Sequence, residues 1–393
     1  MIFQSIGAHY TFRQASAHLF ARGSSRHHEK LRNMLTDHYN GVETILYHKG
    51  RSALSAAIHQ ATGGTGKVAV SGLTCYSVPQ AVWSAGCEVI YVDIDSDYLQ
   101  PTAKQFSAAL DTHPDIKVFV IQNMLGIPID IRPVETLASQ RHITIIEDLA
   151  HSAGSSYEDG REVGTIGDFT MLSFGKDKAL DTVNGGALVV RSSSFQLKHP
   201  TRTPPFADQF RDRLYPILAW WIRALYPVVI GKVILSLALR THIITRSAEG
   251  PVDTDITLPS WQANRAINEI TTLNEQVAHR RLISAEIFSH ITSPYIPHAA
   301  KQHGASLIRI PLLLPDRDKL FELLDRSHIH LRDTWYDVPV SPRRTYETSR
   351  YDESACPVAT RVASEIINIP THRGISPKNL QSIIDILHQE GIS

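Results

Sequence analysis

The chain has 393 residues, and its 39 Lys and Arg residues are balanced by 39 Asp and Glu residues. This balance does not indicate a nucleic acid or an acidic partner, and the length is sufficient for two domains. Three cysteines (Cys75, Cys87 and Cys356) lack metal-ligand or CxxC spacing, which argues against a disulfide scaffold and favours a reducing compartment. The N-terminus has no basic region followed by an apolar core, so no signal peptide is predicted and a cytoplasmic location is expected.

Between residues 44 and 190, short apolar segments alternate with segments of helical periodicity. This alternation predicts an α/β fold with a mostly parallel central sheet and helices on both faces. Residues 1–40 form an N-terminal segment with a helix predicted near 27–39. The predicted strands are 44–47, 68–71, 89–92, 118–121, 143–146, 170–173 and 187–190, and the predicted helices are 52–60, 78–85, 103–110 and 133–140.

Polar residues follow two of the later strands. Asp148 ends one strand, Ser173 ends another, and Lys178 comes five residues after Ser173. Ligands bind beyond the carboxyl ends of such strands. Pyridoxal phosphate (PLP) chemistry needs a lysine that holds the cofactor as a Schiff base and an acid that keeps the ring nitrogen protonated. A hydroxyl in a Gly-containing turn suits the phosphate. The spacing indicates a PLP site, although an ordinary sheet with Asp148 capping a turn and a solvated Lys178 has the same pattern.

Two earlier loops leave the same edge of the predicted sheet. Gly50 allows a tight turn, and the amides of Arg51 and Ser52 open a helix whose N-terminus attracts a phosphate. A plain strand-to-helix turn with Ser52 near the cap is the alternative. In the next loop, Tyr76 offers a ring to stack on a flat cofactor, with a core or interface role as the alternative, and Cys75 is a further candidate contact.

Several segments together resemble the DegT/DnrJ/StrS-type sugar aminotransferases, a branch of the fold-type-I PLP enzymes in the aspartate aminotransferase superfamily. The resemblance extends from about residue 40 to about residue 385, with a break from about 195 to 257. It is carried by KGRSAL (49–54), VDID (92–95), LGIPID (125–130), EDLAHSAG (147–154), VGTIGD (163–168), SFGKDK (173–178), NGGALV (184–189) and NIPTH (368–372).

The resemblance implies a large PLP-binding domain at residues 1–257 and a smaller C-terminal α+β domain at 258–393. It implies a homodimer and an amino transfer from an amino acid, glutamate or glutamine, to a nucleotide- or lipid-linked keto-sugar in surface polysaccharide or glycoconjugate biosynthesis. The alternatives are a sugar dehydratase of the same family, which would replace the Schiff-base lysine, and a PLP-binding regulatory or assembly protein without turnover.

Residue roles follow from the same resemblance. Lys178 matches the Schiff-base lysine, Asp148 the partner of the pyridine nitrogen, and His151 a residue near the ring hydroxyl. The remaining cofactor-binding residues implied are Ser173 with the Gly50, Arg51 and Ser52 turn at the phosphate, and Tyr76 or Cys75 over the ring face.

One segment departs from the family pattern. Asp255 stands where the family carries an Asn that reaches the phosphate of the neighbouring subunit. A carboxylate would be repelled by a phosphate dianion. Either the alignment slips at this segment or another group, such as Arg51, closes the phosphate site.

An apolar insertion occupies about residues 200–250, with its most apolar part at 214–239. Pro216 and Pro227 suit first-turn positions, so two helices are predicted at 216–226 and 227–240. Arg223 and Lys232 offset the apolar residues, which argues against a spanning helix. The segment therefore either covers its own protomer or a dimer contact, or lies on a membrane surface.

The C-terminal part is predicted to contain a long helix at 262–284, a strand at 306–314, a helix at 316–326, a strand at 366–369 and a helix at 377–388. Within 331–336, Arg332 and Trp335 are candidates for substrate contact, with a structural aromatic as the alternative.

Overall fold

The structure, a computed structural model, describes residues 2–3, 9–245, 248, 250–292, 294–332 and 335–392. The strands in these residues are β1 (Ile2–Phe3), β2 (Glu43–Tyr47), β3 (Lys67–Ser71), β4 (Thr74–Cys75), β5 (Glu88–Val92), β6 (Ile116–Ile121), β7 (Thr144–Asp148), β8 (Phe169–Ser173), β9 (Gly186–Val190), β10 (Arg309–Leu313), β11 (Ile329–His330), β12 (Val340–Ser341) and β13 (Ile366–Pro370).

The helices of the same residues alternate with these strands in the first half and dominate the second. They are α1 (Phe12–Leu19), α2 (Ser25–His38), α3 (Gly50–Thr62), α4 (Ser77–Ser84), α5 (Ala103–Thr112), α6 (Ile131–Arg141), α7 (Phe206–Leu225), α8 (Ile230–Arg240), α9 (Ser260–Thr271), α10 (Leu273–His290), α11 (Arg317–Arg326), α12 (Arg343–Tyr346), α13 (Pro357–Glu365) and α14 (Pro377–Gln389).

The central sheet has seven strands in the order β2-β9-β8-β7-β6-β3-β5. The neighbours from β8 to β5 are parallel, whereas β9 runs antiparallel to both β2 and β8. All seven predicted strands are found in this sheet, so the prediction of a mostly parallel α/β sheet is confirmed. As a result, β2, β7 and β8 all end at one edge, where β9 begins.

Helices cover both faces of the sheet because successive side chains of a strand point to opposite sides. In β7, Ile145 belongs to one apolar cluster with Val134 of α6, and Ile146 belongs to another with Leu54 of α3. Full burial of such a side chain stabilises the fold by about 1.5–3 kcal/mol. This packing holds the ends of β7 and β8 rigidly beside each other.

The C-terminal part contains an antiparallel pair, β10 and β13, whose apolar cluster includes residues of α10, α11, α13 and α14. The placement of a domain boundary at 257/258 stays a prediction. The prediction of one helix over 262–284 is wrong, because α9 ends at Thr271 and α10 begins at Leu273. The hydroxyls of Thr271 and Thr272 donate to the carbonyls of Ile267 and Asn268. Such bonds bend a helix.

The insertion forms a helical hairpin at 206–240, composed of α7, a 3₁₀ turn at Tyr226–Val228 and α8. The prediction that Pro216 opens a helix is wrong, because α7 begins ten residues earlier and contains Pro216. The amide missing at Pro216 costs one hydrogen bond, which burial of the neighbouring Tyr215 and Ala219 offsets. The prediction that Pro227 opens a helix over 227–240 is also wrong, because Pro227 lies in the 3₁₀ turn and α8 begins only at Ile230. Within the described residues, no helix combines the length and apolarity needed to cross a membrane.

Candidate active site

An open cavity lies at the sheet edge where β2, β7 and β8 end. Seven of the nine predicted site residues line it, namely Gly50, Arg51, Cys75, Asp148, His151, Ser173 and Lys178. Ser52 is buried in the first turn of α3 and does not line the cavity. Tyr76 is also placed elsewhere, since its ring packs edge-on against Trp83 and its hydroxyl accepts a hydrogen bond from Thr348. Of the two loop candidates for the ring face, Cys75 is therefore the one that reaches the cavity.

The adjacent acids at the end of β7 have different surroundings. Glu147 is fully buried and accepts hydrogen bonds from the Tyr157 hydroxyl and from the amides of Gly164, Ile166 and Gly167. Asp148 lines the cavity and accepts one hydrogen bond of 2.9 Å from the Ala150 amide. Burial raises the pKa of Asp148 to about 6. A buried carboxylate whose loss of solvation is offset so little by hydrogen bonds is suited to pair with a cationic ring nitrogen. Glu147 instead holds the 164–167 loop.

The amine of Lys178 lies 3.0 Å from Nε2 of His151. The other ring nitrogen, Nδ1, accepts a hydrogen bond of 3.3 Å from the Leu125 amide. A neutral imidazole that accepts at Nδ1 carries its proton at Nε2. That N–H faces Lys178, and the amine can accept a hydrogen bond from it only when the amine is uncharged. In agreement, burial lowers the pKa of both His151 and Lys178. The geometry favours an uncharged, nucleophilic amine.

The ring of Trp335 contacts both His151 and Lys178. The ring of His151 stacks on it at 4.8 Å, and Nζ of Lys178 lies 4.7 Å from its centroid. Arg332, the other candidate in this segment, is an exposed residue that donates to Asp325 and does not line the cavity. Asp333 and Thr334 lie outside the described residues.

Arg309 is a site residue that the sequence reasoning missed. It is buried, its guanidinium lies 3.8 Å from the ring centroid of Trp335, and it forms an ion pair with Asp177 next to Lys178. The available signal was a charged residue in the otherwise apolar segment from Leu307 to Leu314. Such a residue is seldom fully buried unless it is paired. Tyr336, which lines the cavity, was also missed.

The loop that carries Lys178 is held by a second buried acid, Asp181. Its carboxylate accepts hydrogen bonds from the amides of Asp177 and Val183 and from the hydroxyl of Tyr10. Asp177 and Val183 both have positive φ, at 64° and 76°. A β-branched residue rarely adopts this conformation. Asp181 therefore stabilises a strained turn on both sides of the lysine.

Replacing Asp181 by Asn is expected to destabilise the protein by about 2–4 kcal/mol at pH 5, because an amide nitrogen would face one of the donating amides. Burial raises the pKa of Asp181 to about 7. The folded state therefore binds its proton more tightly than the unfolded state, and the contribution of Asp181 to stability falls as the pH rises from about 4 through 7. The free energy of unfolding, measured with urea between pH 5 and pH 8, should show the wild type losing its advantage over D181N as the pH rises.

Asp111→Asn, on an exposed helix position, is the matched control and should change neither the stability nor its pH dependence. A difference between wild type and D181N that stays constant over this pH range would contradict the role given to Asp181.

The cavity also fits an anionic group. Lys49, Arg51 and Lys176 line it together with Lys178, whereas Asp148 is the one carboxylate that lines it within the described part of the chain. Gly50 opens α3 directly beside Ser173, and a Cβ at Gly50 would lie 2.9 Å from that of Ser173. The glycine leaves room between the first turn of the helix and the hydroxyl, where phosphate groups bind. The residues present therefore fit the phosphate, the ring nitrogen and the aldehyde of PLP.

Asp255 does not line this cavity. Its carboxylate accepts hydrogen bonds from Thr201 and from Nε of Arg202, at 2.9 and 3.0 Å. These bonds lower the pKa of Asp255. The Asp255 carboxylate is thus engaged by a neighbouring segment of its own chain, and which of the two explanations holds for this position stays open.

Comparison with known proteins agrees with this geometry. The model of the DegT/DnrJ/EryC1/StrS aminotransferase family matches residues 18–200 and 241–388. A dTDP-4-amino-4,6-dideoxy-D-glucose transaminase from Shigella dysenteriae is 30% identical over 92% of this chain and 89% of its own length. A GDP-perosamine synthase from Caulobacter vibrioides is 22% identical over 89% of this chain and 86% of its own.

Solved structures have the same fold. The PLP form of Spr1654 from Streptococcus pneumoniae has a TM-score of 0.73 and 17% identity, with 100% of both chains covered. The sugar aminotransferase CalS13 from Micromonospora echinospora has a TM-score of 0.71 and 18% identity, over 99% of this chain and 100% of its own.

The fold and the paired lysine and acid define a fold-type-I, PLP-dependent aminotransferase. This chain belongs to the DegT/DnrJ/EryC1/StrS aminotransferase family. The alternative of a PLP-binding protein without turnover is set aside, because the family is one of aminotransferases and the relative that is 30% identical is named a transaminase.

Proposed function

We propose that this enzyme transfers an amino group from glutamate to the keto group of a nucleotide-linked sugar. The observation that carries the proposal is the cavity itself, which places the uncharged amine of Lys178 and the buried carboxylate of Asp148 beside the basic residues Lys49, Arg51 and Lys176. The names of both curated relatives, which refer to dTDP- and GDP-linked sugars, support a nucleotide-linked acceptor. We further propose a homodimer that acts in surface polysaccharide or glycoconjugate biosynthesis.

The residues of this chain have separate tasks in the transfer. Bound PLP supplies an electron-withdrawing ring that stabilises negative charge at the donor Cα. Asp148 holds the ring nitrogen protonated, which strengthens that withdrawal. Lys178 would hold the aldehyde of PLP through Nζ, and the same amine, when free, would take the proton from the donor Cα. His151, oriented by the Leu125 amide, keeps this amine uncharged and directed into the cavity.

The same groups argue against the dehydratase alternative. By resemblance, the dehydratases of this family replace the lysine, whereas Lys178 is present here and lies in the cavity. A retained amine beside His151 is suited to carry a proton in both half-reactions of an amino transfer. The acceptor can be linked to a nucleotide or to a lipid carrier, and the experiment below distinguishes the two.

The test separates the two half-reactions. PLP-loaded enzyme is incubated with glutamate, glutamine or aspartate, and conversion of the cofactor to its amino form is followed by absorbance and mass spectrometry. The amino form is then mixed with dTDP-linked, GDP-linked or polyprenyl-linked keto-sugars. Glutamate and a nucleotide-linked sugar are expected to complete the cycle. Return of the PLP form with 2-keto acids alone, or with the polyprenyl-linked sugar alone, would refute the proposed acceptor.

A further inference from the structure

The helical hairpin at 206–240 has an apolar outer surface. Fourteen large apolar side chains are exposed in the described part of the chain, and nine of them lie between residues 206 and 243. They are Phe206, Phe210, Trp221, Val228, Val229, Ile230, Val233, Leu237 and Ile243. A soluble monomer rarely concentrates its exposed apolar residues in this way, and such a surface marks an interaction site.

Packing on the protomer does not account for this surface. The inner face of the hairpin is already buried, with Tyr215, Ala219 and Ile222 of α7 and Ala238 of α8 in one cluster that includes Tyr10. The packing of this segment on its own protomer, one of the two alternatives predicted from the sequence, is therefore present. It involves the inner face of the helices, opposite the exposed residues. The outer face remains exposed in addition to it.

The exposed residues of α8 form a continuous stripe. Ile230, Val233 and Leu237 are three and four positions apart, so they lie on one side of the helix, and each is between 53% and 55% exposed. Val228 and Val229, both 59% exposed, extend the stripe into the 3₁₀ turn. The eleven residues of α8 measure only about 16 Å, about half of a hydrocarbon core. Such a helix can lie on a bilayer but cannot cross it.

The charged residues of α8 itself are all cationic. No Asp or Glu occurs in the sequence between Asp212 and Glu249. Lys232 and Arg240 of α8 are exposed beside the apolar stripe. Among the residues packed near the 3₁₀ turn is the acid Asp325 of α11, which is already bonded to His330 and Arg332. This pattern of cations beside an apolar stripe is complementary to an anionic lipid surface.

The hairpin is also separate from what the family shares. The family match stops at residue 200 and resumes at 241, so it omits the hairpin. A contact between subunits that is common to the family does not need this segment. The outer face is therefore not accounted for by a contact made by the segments that match the family model.

We propose that the outer face of the hairpin binds the surface of an anionic bilayer. The stripe of α8 enters the headgroup region, with the helix parallel to the membrane, while Lys232 and Arg240 contact lipid phosphates. This docking holds the enzyme at the membrane without spanning it. The proposal does not depend on the identity of the sugar.

The test uses the full-length, PLP-loaded protein and sedimentation with vesicles of phosphatidylcholine, with or without phosphatidylglycerol. The wild type is expected to sediment with the anionic vesicles and less so at high salt. Leu237→Glu is expected to lower the partition coefficient by about tenfold or more, and Lys232→Gln by about fivefold on anionic vesicles only. Leu282→Glu is the matched control, since Leu282 of α10 is 70% exposed and lies outside the hairpin.

Circular dichroism and light scattering are recorded for each variant. Failure of the wild type to bind anionic vesicles overturns the proposal, and so does an equal loss in L282E. If L237E instead dissociates an oligomer that the wild type forms without binding vesicles, the outer face is a contact between copies of this chain. Loss of vesicle binding in L237E with unchanged fold and oligomeric state supports membrane docking.

Discussion

Replacing Lys178 by Ala is expected to lower kcat by about ten-thousand-fold or more, because the variant loses both the nucleophile and the proton carrier. Lys178→Arg should be equally inactive, since a guanidinium stays charged and offers no nucleophilic amine. A second readout does not depend on turnover. Borohydride reduction of the PLP-loaded protein should attach the cofactor covalently to the peptide that contains residue 178, as detected by mass spectrometry.

Lys176 provides the matched control for this variant. It lies two positions away and lines the same cavity, but its amine donates to the carbonyl of Thr245 and lies over the ring of Tyr215. Lys176→Ala is expected to retain the covalent adduct and most of the activity in the first half-reaction. An adduct on Lys176, together with turnover by K178A, would show that the wrong lysine has been assigned.

Replacing Asp148 by Asn is expected to change activity and stability in opposite directions. The amide has nearly the same shape and can still accept from the Ala150 amide, but it has no charge to hold the ring nitrogen protonated. We expect kcat to fall by about a hundred- to ten-thousand-fold, while PLP remains bound through the lysine and the phosphate site. Steady-state kinetics and cofactor content after dialysis measure the two effects.

The stability of the cofactor-free protein should rise in the same variant. Burial raises the pKa of Asp148 to about 6, so the folded state disfavours the ionised form and wild-type stability falls as the pH rises from about 4 through 6. At pH 8 the full penalty is present, and D148N should be more stable by about 1–3 kcal/mol. At pH 4 the two proteins should be nearly equally stable.

Glu147→Gln is the control that separates the two neighbouring acids. Glu147 accepts from three backbone amides and a hydroxyl, so its amide variant should be less stable than the wild type, with turnover per folded molecule retained. If E147Q lost as much kcat as D148N, or if D148N were the less stable protein at pH 8, the roles assigned to the two acids would be wrong.

The fold and the centre of the site could be predicted because the deciding signals are local in the chain. Seven apolar segments of strand length, separated by helical periods, led to the seven strands of the sheet. Lys178 and Asp148 could be proposed because each follows the end of its own strand within segments, EDLAHSAG and SFGKDK, that resemble the family. The wrong helix boundaries at Pro216 and Thr272 also have local causes. Packing keeps Pro216 inside α7, and the hydroxyl of Thr272 bonds to the backbone where α9 ends.

The choice between Tyr76 and Cys75 for the ring face could not be made from the sequence because it depended on side-chain direction. Tyr76 was proposed for the ring face from its place in a loop at the right edge of the sheet. The structure directs its ring towards Trp83, and Cys75, one position earlier, lines the cavity. Adjacent residues leave the backbone in different directions, and a loop has no regular period from which the direction could be read.

By itself, the sequence determined the α/β architecture, because strand patterns suffice for it, and it predicted the lysine, its partner acid and the glycine beside the phosphate site once their spacings were joined by the resemblance to a family. Only the tertiary structure decided what surrounds the lysine. Arg309 and Asp177 are 132 positions apart, and Tyr10 and Asp181 are 171 apart. Such contacts arise when separate elements pack together, so they cannot be predicted from periodicity or spacing in the chain. The same packing buried one side of the 206–240 hairpin and left the other side exposed.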